Sequence, residues 1–219
     1  MSIAEITVPE SLADVLARLG DIPSSRVRWR PYPGTATVQD VVNIRNREKR
    51  LFELVEGVLV EKTMGWRESL VAMEIVKLLA VFVDAHDLGA VTGPDGMMQI
   101  FPKQIRISDA TFISWQRVKG SGYPDEAAPH LAPDLAVEVI SRGNTTEEMQ
   151  RKLHDYFEAG VRLVWYLDPR DRSALVYTSP AECNKLTAPA KLDGGEVLPG
   201  FVLDLDEFFR QSQPDELST

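Results

Sequence analysis

The stretch from Pro133 to Phe157, PDLAVEVISRGNTTEEMQRKLHDYF, constrains this chain more than any other, because it places a carboxylate where a folded chain can least tolerate one. Leu135 to Ile140 is an apolar run bounded by Pro133 and Gly143, which reads as a strand buried on both faces. Glu138 sits in its middle and, at a spacing of two, shares a face with Ala136 and Ile140. An ionised carboxylate there costs roughly several kcal/mol unless a cation or a hydrogen-bond network compensates it. A helix follows, capped by Asn144 or Thr145, with Glu147 and Glu148 in its first turn and Met149, Leu153, Tyr156 and Phe157 on its buried face. Lys152 flanks that face one turn from Met149 and Tyr156. Helix lysines are usually exposed, but Lys152 is the nearest cation in sequence that can lean back over the strand and answer Glu138.

Composition decides how much domain there is to build. At 219 residues, 44% hydrophobic and 26% charged, the chain can bury one ordinary core and carry an extension. The first residues include Glu5 and no basic leader, and no run approaches the roughly 18 apolar residues of a membrane span, so a cytoplasmic protein without a membrane anchor is expected. Cys183 is the single cysteine, which excludes an internal disulfide and a cysteine metal cluster within one chain. The net charge of −9 argues against a broad nucleic-acid-binding surface, so such a partner would be held locally or through metal. Residues 26 to 50 are the exception, with seven cations (Arg26, Arg28, Arg30, Arg45, Arg47, Lys49 and Arg50) against Asp40 and Glu48. That segment could touch phosphates, or it could be a solvated face paired with the acidic body, which is the commoner outcome.

In chain order, Pro9 to Gly20 reads as a short helix and Pro23 to Gly34 as an extended, proline-rich link. Thr37 followed by Asp40 reads as the cap of a helix from Val38 to about Lys49. Leu51 to Lys62 alternates about Glu56-Gly57, the pattern of a hairpin. A helix from about Arg67 to His86 carries Val71, Ile75, Leu78, Leu79 and Phe82 as its apolar stripe, with Glu68 near the stripe, Glu74 at its edge, and Met73 and Lys77 pointing away. Glu68 either aims at the sheet or favours its own helix N-terminus. Strand-like pieces follow at 90–92, 97–101, 104–107 and 110–114, with Asp95 in a turn and Asp109 at the start of the last. Residues 115–132 form a loop long enough to edge a cleft, where Trp115 and Tyr123 could stack on a base or pack locally. Beyond the second helix come strands at 163–167 and 174–177, a polar stretch, and a strand-and-tail segment from Glu196 to Arg210. This order gives an α/β (α+β) domain with a central mixed sheet flanked by helices. The divisions expected are a helical N-terminal extension over 1–48, the main domain over 49–212 and a flexible tail over 213–219.

Asp109 and Glu138 on neighbouring strands, with a lysine, form a constellation with a specific chemistry. Mg²⁺ or Mn²⁺ prefers carboxylate and water oxygens, and a metal so held can activate water against a phosphodiester. The lysine would position or help deprotonate the water, or neutralise developing charge. Spacing alone does not single this triad out.

Phe52-Glu53-Leu54-Val55-Glu56-Gly57, Ser108-Asp109-Ala110-Thr111-Phe112-Ile113, Ala132 to Ser141, Arg151-Lys152-Leu153 with Tyr156 and Ala159-Gly160-Val161, Val164 to Pro169 and Leu198-Pro199-Gly200-Phe201 together resemble the Uma family of bacterial endonucleases, over about residues 50 to 209. The resemblance implies a restriction-endonuclease-like PD-(D/E)XK fold, with Asp109 and Glu138 as metal ligands. Two departures from the superfamily pattern stand out: Ser108 rather than proline precedes Asp109, and Ile140 occupies the place of the motif lysine. The resemblance implies that Lys152 takes that role from the following helix, that Glu68 completes the metal shell, and that Glu56 borders the same cleft. The expectation is a Mg²⁺- or Mn²⁺-dependent endonuclease acting on nucleic acid, DNA first, as a homodimer. Its rivals are an inactive nuclease-fold binding or assembly module and an enzyme acting on a small phosphate ester.

Overall fold

The structure, a computed structural model, describes residues 11–118 and 124–212. Helix α1 (Leu12–Arg18) opens with a capping box in which Ser11 and Asp14 exchange hydrogen bonds, and α2 (Val38–Glu48) repeats the device with Thr37 and Asp40. Between them lie a 3-10 turn (Ser24–Arg26) and the short β1 (Val27–Arg28). The hairpin β2 (Phe52–Val55) and β3 (Val58–Glu61) turns on Glu56 and Gly57, both at positive φ, as the twist-compatible two-residue turn requires. Gly57 has a second reason to lack a side chain: a Cβ there would lie 2.5 Å from the Gly34 carbonyl. There follow α3 (Trp66–Ala85), β4 (Gly89–Thr92), β5 (Met98–Phe101), β6 (Gln104–Arg106), β7 (Ala110–Ser114), β8 (Leu135–Val139), α4 (Thr146–Glu158) and β9 (Leu163–Asp168). The chain closes with β10 (Ser173–Ser179), β11 (Glu182–Thr187), β12 (Lys191–Gly194), β13 (Leu198–Asp204) and α5 (Leu205–Ser212).

The central sheet has six strands in the order β11-β10-β9-β8-β7-β4, mixed because β8 and β9 are parallel and the other neighbours antiparallel. All five residues of β8 are buried, because helices cover both faces. Leu135, Val137 and Val139 meet Val71, Ile75 and Leu79 of α3. Ala136 and Ile140 meet Met149, Leu153 and Tyr156 of α4. Full burial of one such aliphatic side chain is worth about 1.5–3 kcal/mol, so these two layers fix the sheet between its helices. Met73 and Lys77 face away from the sheet, as the period of α3 predicts.

A second, antiparallel sheet, β1-β3-β2-β6-β5, was not separable from the first by pattern alone. Helix α2 packs on one of its faces through Val41 and Ile44, and α1 on the other through Val15 and Leu19. The segment before residue 48 therefore supplies β1 and both covering helices of this sheet. Of the seven cations between residues 26 and 50, Arg26, Arg28, Arg45 and Arg50 pair with Glu148, Glu48, Asp95 and Glu61, so four of the seven are neutralised by acids.

Two readings of the C-terminal third need correction. The polar stretch after Tyr177 forms the edge strand β11, whose exposed ECNKLT sequence lacks the alternation of a half-buried strand. The expected tail contains α5, whose first amides, those of Asp206 and Glu207, are capped by Asp204 at 3.0 Å each. Phe208 and Phe209 of this helix pack into the core shared with α3. No helix among the described residues is long and apolar enough to cross a membrane. The start of the expected first helix, the 213–219 tail and Tyr123 lie outside the described residues.

Candidate active site

Residues Ile107-Ser108-Asp109 carry the chain from β6 of one sheet to β7 of the other. Strands β7 and β8 pair from Ala110 opposite Val137, and the Asp109 amide also donates to the Val137 carbonyl at 2.9 Å, which brings Asp109 to the end of β8 near Glu138. Asp109 lies close enough for its charge to raise Glu138, because like charges repel. Both side chains are almost fully buried, which raises the cost of that repulsion.

The compensation comes from three directions. Lys152 of α4 places its Nζ 3.2 Å from Glu138 Oε2, and Tyr156, one turn on, donates its hydroxyl to Glu138 Oε1 at 2.5 Å. Lys62, just past β3, places its Nζ 2.8 Å from Asp109 Oδ1 and donates to the Ile107 carbonyl at 2.5 Å. The Val139 amide donates to Asp109 Oδ2 at 2.7 Å. Every carboxylate oxygen of the pair thus has an N–H or O–H partner.

Behind Lys152 stands a third acid. Register between β2 and β6 sets Glu53 opposite Arg106, and their side chains meet at 2.8 Å. Glu53 Oε1 also lies 3.2 Å from Lys152 Nζ and accepts the Ile107 amide at 3.1 Å. Arg106 in turn bonds Asp155 of α4. Lys152 is therefore clamped between Glu53 of the five-stranded sheet and Glu138 of the six-stranded one.

This arrangement drives the two glutamates apart. Burial pushes Glu53 up, but the cations of Lys152, Arg106 and Lys62 and the Ile107 amide more than reverse it and hold the carboxyl at about 2. Burial also pushes Glu138 up. Lys152 and Lys62 oppose it, but Asp109 and Glu53 add to it, and the carboxyl stays above its ordinary range. Burial would strip the proton from Lys152, yet Glu138 and Glu53 outweigh it and raise the ammonium above its usual value. Tyr156 is raised as well, by burial first and then by Glu138 and Glu53, so it remains a hydroxyl donor.

Asp109, Glu138, Lys152, Glu53, Lys62 and Glu68 line one narrow pocket, closed on its far side by Arg26, Ser141 and Asn144. Arg26 is itself held by Glu148, at 2.8 and 3.0 Å. The open interior is about 20 Å³, room for one water-sized species. Glu68 reaches this pocket from α3, on the opposite side of β8 from Glu138. Its carboxylate folds back over the start of its own helix, 2.2 Å from where a Cβ on Gly65 would stand, the position expected of an acid serving the helix N-terminus. Glu56 lies apart, paired with Arg18 and Arg151. Among the described residues no three acids, histidines or cysteines converge closely enough to hold a metal. Two carboxylates lining a water-sized space do fit Mg²⁺, which is usually held by one or two carboxylates and keeps most of its water.

Sequence reasoning missed Glu53, Lys62, Arg106 and Tyr156 as members of this cluster. Glu53 gave no comparable signal: it sits at a polar position of an alternating hairpin, and only the structure shows that all four residues of its strand are buried.

Comparison with known proteins gives the chain a family. No curated protein matches the chain in sequence. A crystal structure from Anabaena variabilis ATCC 29413, described as that of "a putative nuclease belonging to DUF820", superposes with a TM-score of 0.67 at 17% identity, covering 75% of this chain and 92% of that one; the likeness is one of fold. The family model Uma2, described as "Putative restriction endonuclease", matches residues 38–206, which include every residue of the buried cluster. The chain belongs to the Uma2 family.

Proposed function

We propose that the protein is a metal-dependent nuclease that hydrolyses phosphodiester bonds, with DNA as its substrate. The observation that carries the reading is that Asp109 and Glu138 line one pocket with Lys152, which lies between Glu138 and Glu53. Asp109 and Glu138 would hold Mg²⁺ or Mn²⁺, with Glu68 reaching it through water. Such an ion, when bound, supplies a Lewis acid and a more acidic water.

The chain's own residues define the rest. Lys152 is held as an ammonium by two carboxylates and so acts as a fixed cation, orienting water by donation or neutralising charge that develops on the phosphate. It does not act as the base. Tyr156 fixes one oxygen of Glu138 and leaves the group aimed at the pocket. Lys62 keeps Asp109 neutralised within the pocket. Two copies acting together, one per strand, belong to the same reading, and light scattering reads the mass.

Supercoiled, linear and single-stranded DNA and RNA, each incubated with and without Mg²⁺ or Mn²⁺, test the proposal. Cleavage that needs the metal and is lost in Asp109→Ala and Lys152→Ala supports it. Absence of cleavage, or equal cleavage by both variants, overturns it. One observation favours the rival, a non-catalytic binding module: both acids are already paired with lysines. Calorimetric titration with Mn²⁺ separates the two, since a module of that kind has no need of the ion.

A further inference from the structure

The pocket between the carboxylates has room for one water-sized species, so the body of any nucleotide must lie elsewhere. Beside it, sharing Ser141 and Asn144, opens a cavity of about 390 Å³. This cavity lies beyond the C-terminal ends of β8 and β9, the one parallel pair of the central sheet, which is where open α/β sheets place their ligands. Its apolar lining is the half-buried Ile140 and Leu175, backed by Met149, Tyr166 and Tyr177, which are almost fully buried. Its rim is cationic. Arg170 and Lys185 are engaged by Asp168 and Asp171 at 2.6 and 2.9 Å, whereas Arg142 is exposed and pairs with no acid among the described residues.

We propose that this cavity receives an unpaired nucleotide adjacent to the bond to be cut, its base against the apolar lining and its phosphate on Arg142. The inference rests on the nuclease reading and narrows it to a strand with an accessible base. An apolar wall beside an arginine with no acid partner suits a base with its phosphate, and a base stacked inside a duplex cannot reach such a wall without leaving the stack. The volume accommodates one unit of a strand, not the width of a double helix.

Fluorescence anisotropy with a labelled short single-stranded DNA, its duplex and an abasic strand tests this, without divalent cation so that the strand stays intact. Wild type is expected to bind the single strand more tightly than the other two. Arg142→Ala should weaken binding and flatten the slope of log affinity against log salt by about 0.7, the loss of one single-strand phosphate contact. Gln150→Trp, on the cavity wall, should weaken single-strand binding by occupying the space. Both positions are exposed, and melting curves verify that the variants fold. If both variants bind the single strand as wild type does while wild type cleaves with Mn²⁺, the subsite is overturned and the nuclease reading stands. If wild type binds no nucleic acid with or without Mn²⁺, both fall.

Discussion

Replacing Glu53 by glutamine tests the charge cluster without touching either acid of the proposed metal pair. In the folded chain Glu53 is fully buried and held at about 2, against 4.5 for a free glutamate. The difference corresponds to about 3 kcal/mol of preference for the folded state when the group is ionised. Removing one partner of a buried ion pair costs about 3–5 kcal/mol by an independent route, because the cations left behind are uncompensated. In Glu53→Gln those cations are Arg106, which keeps Asp155, and Lys152, which keeps Glu138. For a chain of this size about 1 kcal/mol moves the melting temperature by about 2–4 °C, so about 3 kcal/mol should lower it by about 6–12 °C at neutral pH. Glu53 is an acid whose folded value is depressed. Its contribution is therefore complete above about 4.5 and is lost as pH falls toward about 2, and the gap between wild type and variant should narrow only in that window. Calorimetric melting of both proteins from neutral to acidic pH measures it. Glu61→Gln, which breaks the half-exposed pair with Arg50, is the control and should shift melting by no more than the 0–1 kcal/mol typical of surface pairs. A drop in the Glu53 variant no larger than in this control, or a gap that is constant with pH, would refute the reasoning.

Glu138→Gln should have the opposite sign. The folded protein disfavours ionised Glu138, so above about 4.5 the charge costs stability, and the variant should melt at a higher temperature than wild type at neutral pH while losing the stabilisation that Mn²⁺ confers. Lys62→Met removes the cation that competes for Asp109 Oδ1, and calorimetric titration should show tighter Mn²⁺ binding than in wild type. Lys152→Met should lower single-turnover cleavage by about 10²–10³-fold, the usual effect of losing one donor aimed at a developing oxyanion, whereas Lys152→Arg should recover part of it. Because Glu138 takes up a proton more readily than an ordinary glutamate, apparent Mn²⁺ affinity should fall as pH is lowered toward the acidic range, which calorimetry in buffers of increasing acidity measures.

What the sequence made legible was local. Pro133 and Gly143 bound β8, the helical period places Lys152 beside Met149 and Tyr156, and Asp109 opens a strand, so three members of the cluster followed from periods of 2 and 3.6. What it hid depends on which strands meet. Glu53 and Arg106 are 53 residues apart and come together only through the β2–β6 pairing; Lys62 and Asp109 depend on a link that passes from one sheet to the other. No periodicity encodes such a pairing, and Leu51 to Lys62 announces its hairpin equally well with or without an acid at 53. Glu68 fell between the two cases: its place on α3 was legible, but whether the carboxylate points to the sheet or to its own helix start is settled by the rotamer against Gly65.

The hidden half of the cluster changes what the legible half can do. With Glu138 alone, Lys152 would be a lysine in a buried ion pair, open to losing its proton as a neighbour is protonated or bound by metal. With Glu53 behind it, Lys152 keeps one permanent counterion whatever happens at Glu138, because Glu53 stays ionised down to about 2. Glu138 can then exchange its proton or take a metal without releasing the lysine. The division of labour follows from which groups surround each acid: Glu53 faces Lys152, Arg106 and a backbone amide, and Glu138 faces Lys152 together with the charge of Asp109. An acid fixed by two cations anchors the lysine, while the acid set against another acid is the one free to change state. If Glu53→Gln left the pH profile of cleavage unshifted while lowering its rate only as far as its stability loss unfolds the protein, this division would be wrong, and Glu53 would be packing alone.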